Sequence, residues 1–180
     1  MAARGYARAS EMVFGDMAEV QRCQVHKQRN VREHLPEEKR AQVRSVLAQA
    51  YRAQTYETGV RQLENLAKSL DRDHPGAAAS LREGLEESLT VKRLGLSGAL
   101  ERTLATTNPI ENLNGSIRRI SGRVRRCRGG SMALRWVAAA VLDAQQGFRR
   151  LKGVSEMHRL VDALKRLDHS PQTQDVRPAA

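Results

Sequence analysis

A single carboxylate lies at the start of a predicted helix that becomes strongly basic further along. Glu111 belongs to the segment TTNPIENLNG, and the stretch from Arg118 to Arg128 then contains six arginines and no acid. A carboxylate can hold a divalent cation, and arginines can hold the phosphates of a nucleic-acid backbone. A metal-dependent phosphoryl-transfer enzyme needs both.

A purely structural role for Glu111 is equally compatible with the local pattern. Asn108 suits the N-cap of a helix, Pro109 suits the first helical position, and Glu111 follows three residues after the cap. In such a capping box the glutamate reaches back to the N–H of the cap residue. The pattern alone leaves capping and metal binding open, and one carboxylate in the first turn can serve both.

The charge of the chain is concentrated in one stretch. The 180 residues carry a net charge of +11, and the stretch from Gly115 to Lys152 holds ten Lys/Arg against one acid, Asp143. This local excess favours an anionic polymer, DNA or RNA, as partner, and the alternative is a solvated basic face with no partner. There is no signal-peptide pattern and no apolar run of membrane-spanning length, so we expect a cytoplasmic protein that does not contact membranes.

Helical periodicity runs through most of the chain. The spacing of apolar residues, together with Pro and Gly positions, predicts helices over residues 4–14, 36–50, 56–70, 75–89, 109–121, 131–149 and 156–167. Residues 17–25 form the best strand candidate, and the polar tail after His169 is predicted to be disordered. In the helix from Pro109, an apolar face is predicted to be buried while Glu111, Asn114 and Arg118 form a polar stripe at its edge. That face comprises Ile110, Leu113, Ile117 and Ile120.

A second motif, VQRCQVHKQRNV, spans Val20 to Val31. Its Cys23-x-x-His26 pair is half of a zinc site, but no second pair of ligands has suitable spacing. A packed cysteine beside a hydrogen-bonded histidine is the favoured interpretation. Cys127 lies far away in the sequence, so the two cysteines of the chain predict no disulfide framework.

Together the two motifs resemble segments of the mutator-type bacterial insertion-sequence transposases. The TTN-x-x-E-x-x-N pattern is similar to the segment around the last catalytic glutamate of that family, which corresponds to Glu111. The Q-R-C-x-x-H-K-x-R-N-V pattern is similar to the segment that follows the second catalytic aspartate. The later RRCRGG and LRW sequences also resemble the family, and the likeness covers about residues 3–166.

The resemblance implies a fold and its division into domains. The family has a ribonuclease-H-like α/β core interrupted by an all-helical insertion. The chain is therefore expected to be mainly α, a C-terminal remnant of such a core with one or two short strands near residues 17–25. The expected parts are a core remnant over residues 1–31, the helical insertion over 32–100, C-terminal core helices over 101–168 and a disordered tail over 169–180.

The resemblance also implies site residues, a cofactor and partners. Glu111 would be a catalytic metal ligand for Mg²⁺ or Mn²⁺. The DNA contacts would be Arg118, Arg119, Arg123, Arg125, Arg126 and Arg128. The motif residues Cys23, His26, Asn108, Asn114 and Trp136 would be structural, with packing favoured over base stacking for Trp136. The partners would be the terminal inverted repeats of the element, target DNA, and either further copies or a full-length transposase.

The chain departs from the family pattern in its acids. The family uses two aspartates with the glutamate to hold two metal ions for strand cleavage and joining. The second aspartate should precede Arg4, where the chain has Met1-Ala2, and Asp16 after Gly15 is not a substitute. The sequence therefore predicts a C-terminal fragment that is inactive by itself. The alternative is a non-catalytic DNA-binding or regulatory fragment that pairs with a full-length transposase.

Overall fold

The computed structural model describes residues 12, 15, 18–122, 124 and 126–168, and this part of the chain is mainly helical without a β-strand. The α-helices are α1 (Gln24–Glu33), α2 (Glu37–Tyr51), α3 (Tyr56–Leu70), α4 (Pro75–Arg82), α5 (Thr90–Arg93), α6 (Gly98–Leu104), α7 (Asn108–Ser121), α8 (Gly130–Gln145) and α9 (Met157–Asp168). Short 3₁₀ helices cover Glu86–Leu89 and Val154–Glu156. No helix in this described part has the length and apolarity that crossing a membrane requires.

The chain divides into two compact units. The larger unit comprises residues up to Thr106 together with those from Gly153 onward, and the two-helix unit comprises Thr107–Lys152. The larger unit contains α1 to α6 and α9, and the two-helix unit contains α7 and α8.

The helix α3 shows how closely local sequence determines the larger unit. Thr55 is the N-cap residue, and its side-chain oxygen accepts a hydrogen bond from the Thr58 N–H at 3.2 Å. Such a cap satisfies one of the free N–H groups of the first turn. The apolar residues then recur every three or four positions, so that one face is buried. The predicted helix over residues 56–70 is confirmed at both ends.

Two clusters of buried side chains hold the larger unit together. The main cluster comprises Val31, Leu35, Val43, Leu47, Ala50, Tyr51, Leu63, Leu66, Ala67, Leu70, Ala77, Ala78, Leu81, Leu85 and Leu89. The smaller cluster comprises Val91, Leu96 and Leu100, against which Met157 and Leu160 of α9 pack. Leucine, valine and alanine fill most of both clusters, and Tyr51 is the one aromatic residue among these buried side chains.

The strand predicted near residues 17–25 is wrong in the part that the structure describes. Residues 18–23 have no regular secondary structure, and α1 begins at Gln24. The backbone N–H of Arg22 donates to the Glu87 carbonyl at 2.9 Å instead of joining a strand ladder. A strand needs a neighbouring strand to satisfy its backbone, and the described residues offer helices only. Met17 lies outside them.

The helix predicted over residues 75–89 ends early. It stops at Arg82, and a 3₁₀ turn follows at Glu86–Leu89. Gly84 between them has φ +65°, a left-handed conformation that interrupts a right-handed helix and favours glycine. The helix predicted to run to residue 149 likewise ends at Gln145. The helix predicted over 4–14 and the tail over 169–180 fall outside the described residues, apart from Met12. The proposed domain boundaries stay predictions.

A substitution at Gly153 tests the smaller cluster. Gly153 has φ +82°, and a Cβ added there would lie 2.8 Å from Leu100 Cα. We expect Gly153→Ala to lower the free energy of unfolding by about 2–4 kcal/mol, because left-handed strain adds to a clash with backbone. Thermal or urea unfolding measures this. Gly147→Ala is the control, since its Cβ would meet only Ala144 O at 3.6 Å. Equal stability of the two variants would contradict the prediction.

Candidate metal ligand and nucleic-acid interface

The candidate metal ligand lies in the first turns of α7. This helix begins at Asn108 with Thr107 as its N-cap, so Asn108 is the first helical residue and not the cap that the sequence predicts. The shift places Glu111 four residues after the cap, and its N–H donates to the Thr107 carbonyl at 2.9 Å. A capping box requires the acid three residues after the cap. The local geometry therefore departs from that motif by one position.

The carboxylate of Glu111 is held from its own helix. The Thr107 hydroxyl donates to Oε1 of Glu111 at 2.6 Å, and the Glu111 side chain is exposed. Carboxylate oxygens carry several acceptor positions, so one carboxylate can accept hydrogen bonds and bind a cation at the same time. Asn114 and Arg118 are exposed one and two turns further along. Residues at these spacings are neighbours on a helix surface, so the predicted polar stripe is present.

The apolar face of α7 is buried less completely than the sequence predicts, since Leu113, Ile117 and Ile120 are only half-buried. No residue of α7 is buried, and Ile110 is 62% exposed. In α8 only Ala140 is buried, although that helix is apolar over most of its circumference. Two helices packed on each other can cover only one stripe of each, so the remaining apolar positions stay at the surface.

The predicted DNA contacts that the structure describes are exposed and unpaired. Arg118 and Arg119 lie in the last turn of α7, and Arg126 and Arg128 lie between the helices. Within the described ranges none of the four forms an ion pair with an acid, whereas arginines of the larger unit do so, as Arg82 does with Asp71. Arg123 and Arg125 fall outside these ranges.

The two units differ strongly in net charge. The two-helix unit holds ten Lys/Arg and two Asp/Glu in its 46 residues, so it carries +8 of the net +11. The basic side chains of this unit therefore have few internal acids to pair with. Such a surface attracts phosphates and other dense anions at long range.

The described residues do not by themselves provide a complete metal site. Among them, no group of three or more His, Cys, Asp or Glu side chains could hold an ion. Glu111 supplies oxygen, the donor type that Mg²⁺ and Mn²⁺ prefer, but a two-ion site needs several carboxylates. The donor chemistry fits one ligand of such a site and leaves the others to be supplied from elsewhere.

Cys23 and His26 of the second motif do not form a metal site in the described part of the chain. Cys23 is the N-cap residue of α1 and is half-buried, and His26 is exposed in the first turn. The Cys23 carbonyl accepts the N–H of Lys27 at 3.0 Å, the first bond of the helix. The cysteine of the motif is therefore the residue at which the helix α1 starts.

Glutamine side chains of the same motif attach it to the rest of the larger unit. Gln21 Oε1 accepts the backbone N–H of Val91 at 2.9 Å, while the Nε2 groups of Gln21 and Gln24 both donate to the Ser88 carbonyl at 2.9 Å. Arg22 adds an ion pair of 2.5 Å with Glu87. The chain segment before α1 is thus docked by side chains on the 3₁₀ turn and α5. No local sequence pattern predicts this docking, because the partners lie more than 60 residues away along the chain.

Lys27 is the most buried charged residue of the motif. Its side chain is 5% exposed, and Nζ donates to the backbone carbonyls of Ser80 and Glu83 at the end of α4. The last carbonyls of a helix lack intrahelical partners, so the ammonium group caps α4. Burial, with a smaller effect of the nearby Arg22, lowers the pKa of Lys27 to about 8.

This pKa predicts an unusual dependence of stability on pH. Between about pH 8 and the ordinary lysine value of 10.5, the unfolded chain binds a proton that the folded chain has released. Stability should therefore rise with pH in that window, by about 2 kcal/mol. Urea unfolding at several pH values, compared with Lys27→Met, isolates the effect. Parallel pH profiles for the two proteins would contradict it.

Within the larger unit, a hydrogen bond joins the start of α1 to the residue that follows α6. The N–H of Gln24 donates to the carbonyl of Ala105 at 2.9 Å, and Ala105 is 4% exposed. Ala105 precedes the TTN segment by one residue. The start of α1 and the residue that leads to the glutamate segment are therefore adjacent, although 81 residues separate them.

Trp136 lies on α8 and is 42% exposed. The resemblance favours a packing role for it, but in the two-helix unit its side chain is at the surface. Leu134 and Leu142 of the same helix are 70% and 65% exposed. The packing of α7 on α8 therefore leaves these three side chains of α8 exposed.

Comparison with known proteins gives one positive result. Residues 2–150 match the family model described as "Transposase, Mutator family". No curated protein and no solved structure shows a significant match to the chain. The family match spans both motifs, α1 to α8 and the basic stretch.

Proposed function

Because the chain belongs to the Mutator family of transposases, we propose that it takes part in transposition of an insertion sequence as the part that binds DNA and presents the catalytic glutamate. The observation that carries the DNA-binding role is the set of exposed arginines in the two-helix unit. These arginines lack acidic partners within the described residues, in a unit of net charge +8.

The arrangement supports binding that is independent of base sequence. Arginine side chains on a helix end and the following loop can contact successive phosphates, which fixes the position of DNA without reading bases. Arg118 and Arg119 sit beside the C-terminal end of α7, where cations also gain from the helix dipole. The DNA would be the ends of the element and its target.

Glu111 is the proposed metal ligand of this site. Its exposure and its position on one stripe with Arg118 support a carboxylate that faces the same ligand as the arginines. The bond from Thr107 orients the carboxylate. Mg²⁺ or Mn²⁺ held there, with carboxylates from outside the described residues or from another chain, would supply the activation of water and of the phosphate in strand cleavage.

A second candidate function is regulation without catalysis. The single described carboxylate at this position and the incompletely covered apolar surface of α8 favour it. In that case the chain would bind DNA, or pair with a full-length transposase, and limit the activity of that enzyme.

A DNA titration tests the proposal. Binding of the 180-residue chain to a labelled duplex is followed by fluorescence anisotropy at several salt concentrations. If at least four arginines contact phosphates, log K should fall with log salt with a slope of about −4 or steeper. A weak slope, or no binding at low salt, would refute the DNA-binding role. A nicking assay in Mg²⁺, with the aspartate-containing core of a full-length family member added to supply the other carboxylates, then separates the catalytic from the regulatory function.

A further inference from the structure

We propose that the two-helix unit binds DNA with unpaired bases, by stacking a base on Trp136 between flanking arginines. This inference rests on the proposed function and names the class of DNA substrate. It starts from the distribution of aromatic side chains between the two units. Among the described residues, Tyr51 is buried and Tyr56 packs against the core of the larger unit, whereas Trp136 and Phe148 are exposed in the two-helix unit.

Both exposed aromatic residues have arginine neighbours. Arg135 directly precedes Trp136, and Arg149 and Arg150 directly follow Phe148; all three arginines are exposed. Within the described part of the chain none of them has an acidic partner. Alternation of arginines with exposed aromatic rings is typical of surfaces that bind single-stranded nucleic acid, where bases stack and phosphates pair with cations.

A contact in the structure connects Trp136 to the basic loop before α8. The backbone N–H of Arg128 donates to Sδ of Met132 at 3.5 Å. Met132 and Trp136 are four residues apart on α8, so they are neighbours on one face of the helix. Met132 thus lies one turn before Trp136 on that face with the backbone of Arg128 against it. Arg135 precedes Trp136 by one residue, about 100° around the helix. Asp143, the one acid of α8, lies almost two turns further in the opposite direction.

The geometry distinguishes unpaired from paired DNA. A base inside a duplex has both faces covered by its neighbours, so an exposed indole can stack only on a base that has left the duplex or stands at an end. The arginines before and beside Trp136 would hold the phosphates on either side of that base. Transposition cuts and rejoins strands, and such reactions produce ends at which bases can unstack.

The chain contains a single tryptophan, so its fluorescence reports on this residue alone. The test adds single-stranded oligo(dT), or a duplex closed at both ends by non-nucleotide linkers so that no base is unpaired, to the 180-residue protein. We expect oligo(dT) to quench the tryptophan emission and the closed duplex to leave it nearly unchanged. Anisotropy of labelled DNA, measured in parallel, reports binding of each.

Variants complete the experiment. Trp136→Leu should weaken binding of oligo(dT) by about 10-fold or more, as expected for loss of one base–aromatic stack, and leave binding of the closed duplex unchanged. Trp136→Tyr should restore most of the affinity. Leu134→Ala is the control on the same helix, since it removes an exposed apolar side chain without a ring and should not change the affinity.

Two outcomes would overturn the inference. If oligo(dT) binds while the tryptophan emission stays constant, the arginines bind DNA without stacking, and the proposed function survives alone. If the emission instead shifts with protein concentration in the absence of DNA, Trp136 is buried between copies of the chain. Absence of binding to both DNAs would refute the proposed function itself.

Discussion

Replacement of Arg118, Arg119, Arg126 and Arg128 by alanine should weaken binding of duplex DNA by about 100- to 1,000-fold near physiological salt. Each phosphate contact makes the plot of log K against log salt steeper by about 0.9. Between 1 M and 0.15 M salt, this slope corresponds to a gain of roughly 0.7 in log K for each contact. Four lost contacts therefore reduce log K by two to three, as a rough estimate, and reduce the slope by about three to four. The loss should be similar for every DNA sequence, because phosphates carry no sequence information.

A control with equal charge separates specific contacts from general attraction. Arg29, Arg44, Arg52 and Arg61 of the larger unit are exposed and form no ion pair among the described residues. Their replacement by alanine removes the same four charges. We expect this variant to bind DNA nearly as the original protein does. Equal losses in the two variants would mean that net charge, and not a defined surface, attracts the DNA.

The second large effect concerns Glu111→Gln. If Glu111 is a metal ligand, loss of its charge should reduce DNA strand cleavage by about 1,000-fold, since a ligand of the reaction's metal ion contributes several kcal/mol to the transition state. Folding should change little, because glutamine keeps an oxygen that can accept the Thr107 hydroxyl. If Glu111 has a purely structural role, both cleavage and folding should stay nearly unchanged in this variant, because glutamine can accept the same hydrogen bond.

The assay for this variant needs the remaining carboxylates of the reaction. They are supplied by fusion to, or mixing with, the aspartate-containing core of a full-length family member. Glu64→Gln, at an exposed position of α3, is the charge control and should cleave normally. Wild-type cleavage by Glu111→Gln would exclude the catalytic assignment. Lost cleavage together with retained DNA binding and an unchanged melting temperature would support it.

The helices of the larger unit could be predicted where local signals agree. The helix α3 has a threonine cap, a regular apolar face and a clear end, and its bounds are as predicted. Pro75 likewise marks the start of α4. The end of α4 was missed because a left-handed conformation at Gly84 depends on the chain around it, and Gly84 carries no local signal that separates it from a glycine within a helix.

Features that depend on distant partners could not be predicted. Residues 18–25 have the short apolar alternation of a strand, but whether a strand forms depends on a neighbour that the described residues do not contain. The cap that Lys27 places on α4 requires carbonyls 53 and 56 residues away. In the candidate site, Glu111 was predicted from its motif, and its role as a metal ligand stays a prediction. The exposure of Ile110 was not predicted, because periodicity identifies an apolar face without showing whether another element covers it.

The hydrogen bond between Gln24 and Ala105 has a consequence for how such a protein can evolve. The helices from α1 to α6 leave and re-enter the surrounding chain at points joined by a single N–H···O bond of 2.9 Å. A segment whose two ends are adjacent can change in length at its internal loops without moving those ends apart. Divergence of the helical segment is then restricted mainly where other residues of the larger unit dock on it, which are Gln21 and Arg22 at the 3₁₀ turn and α5, and α9 at the smaller cluster.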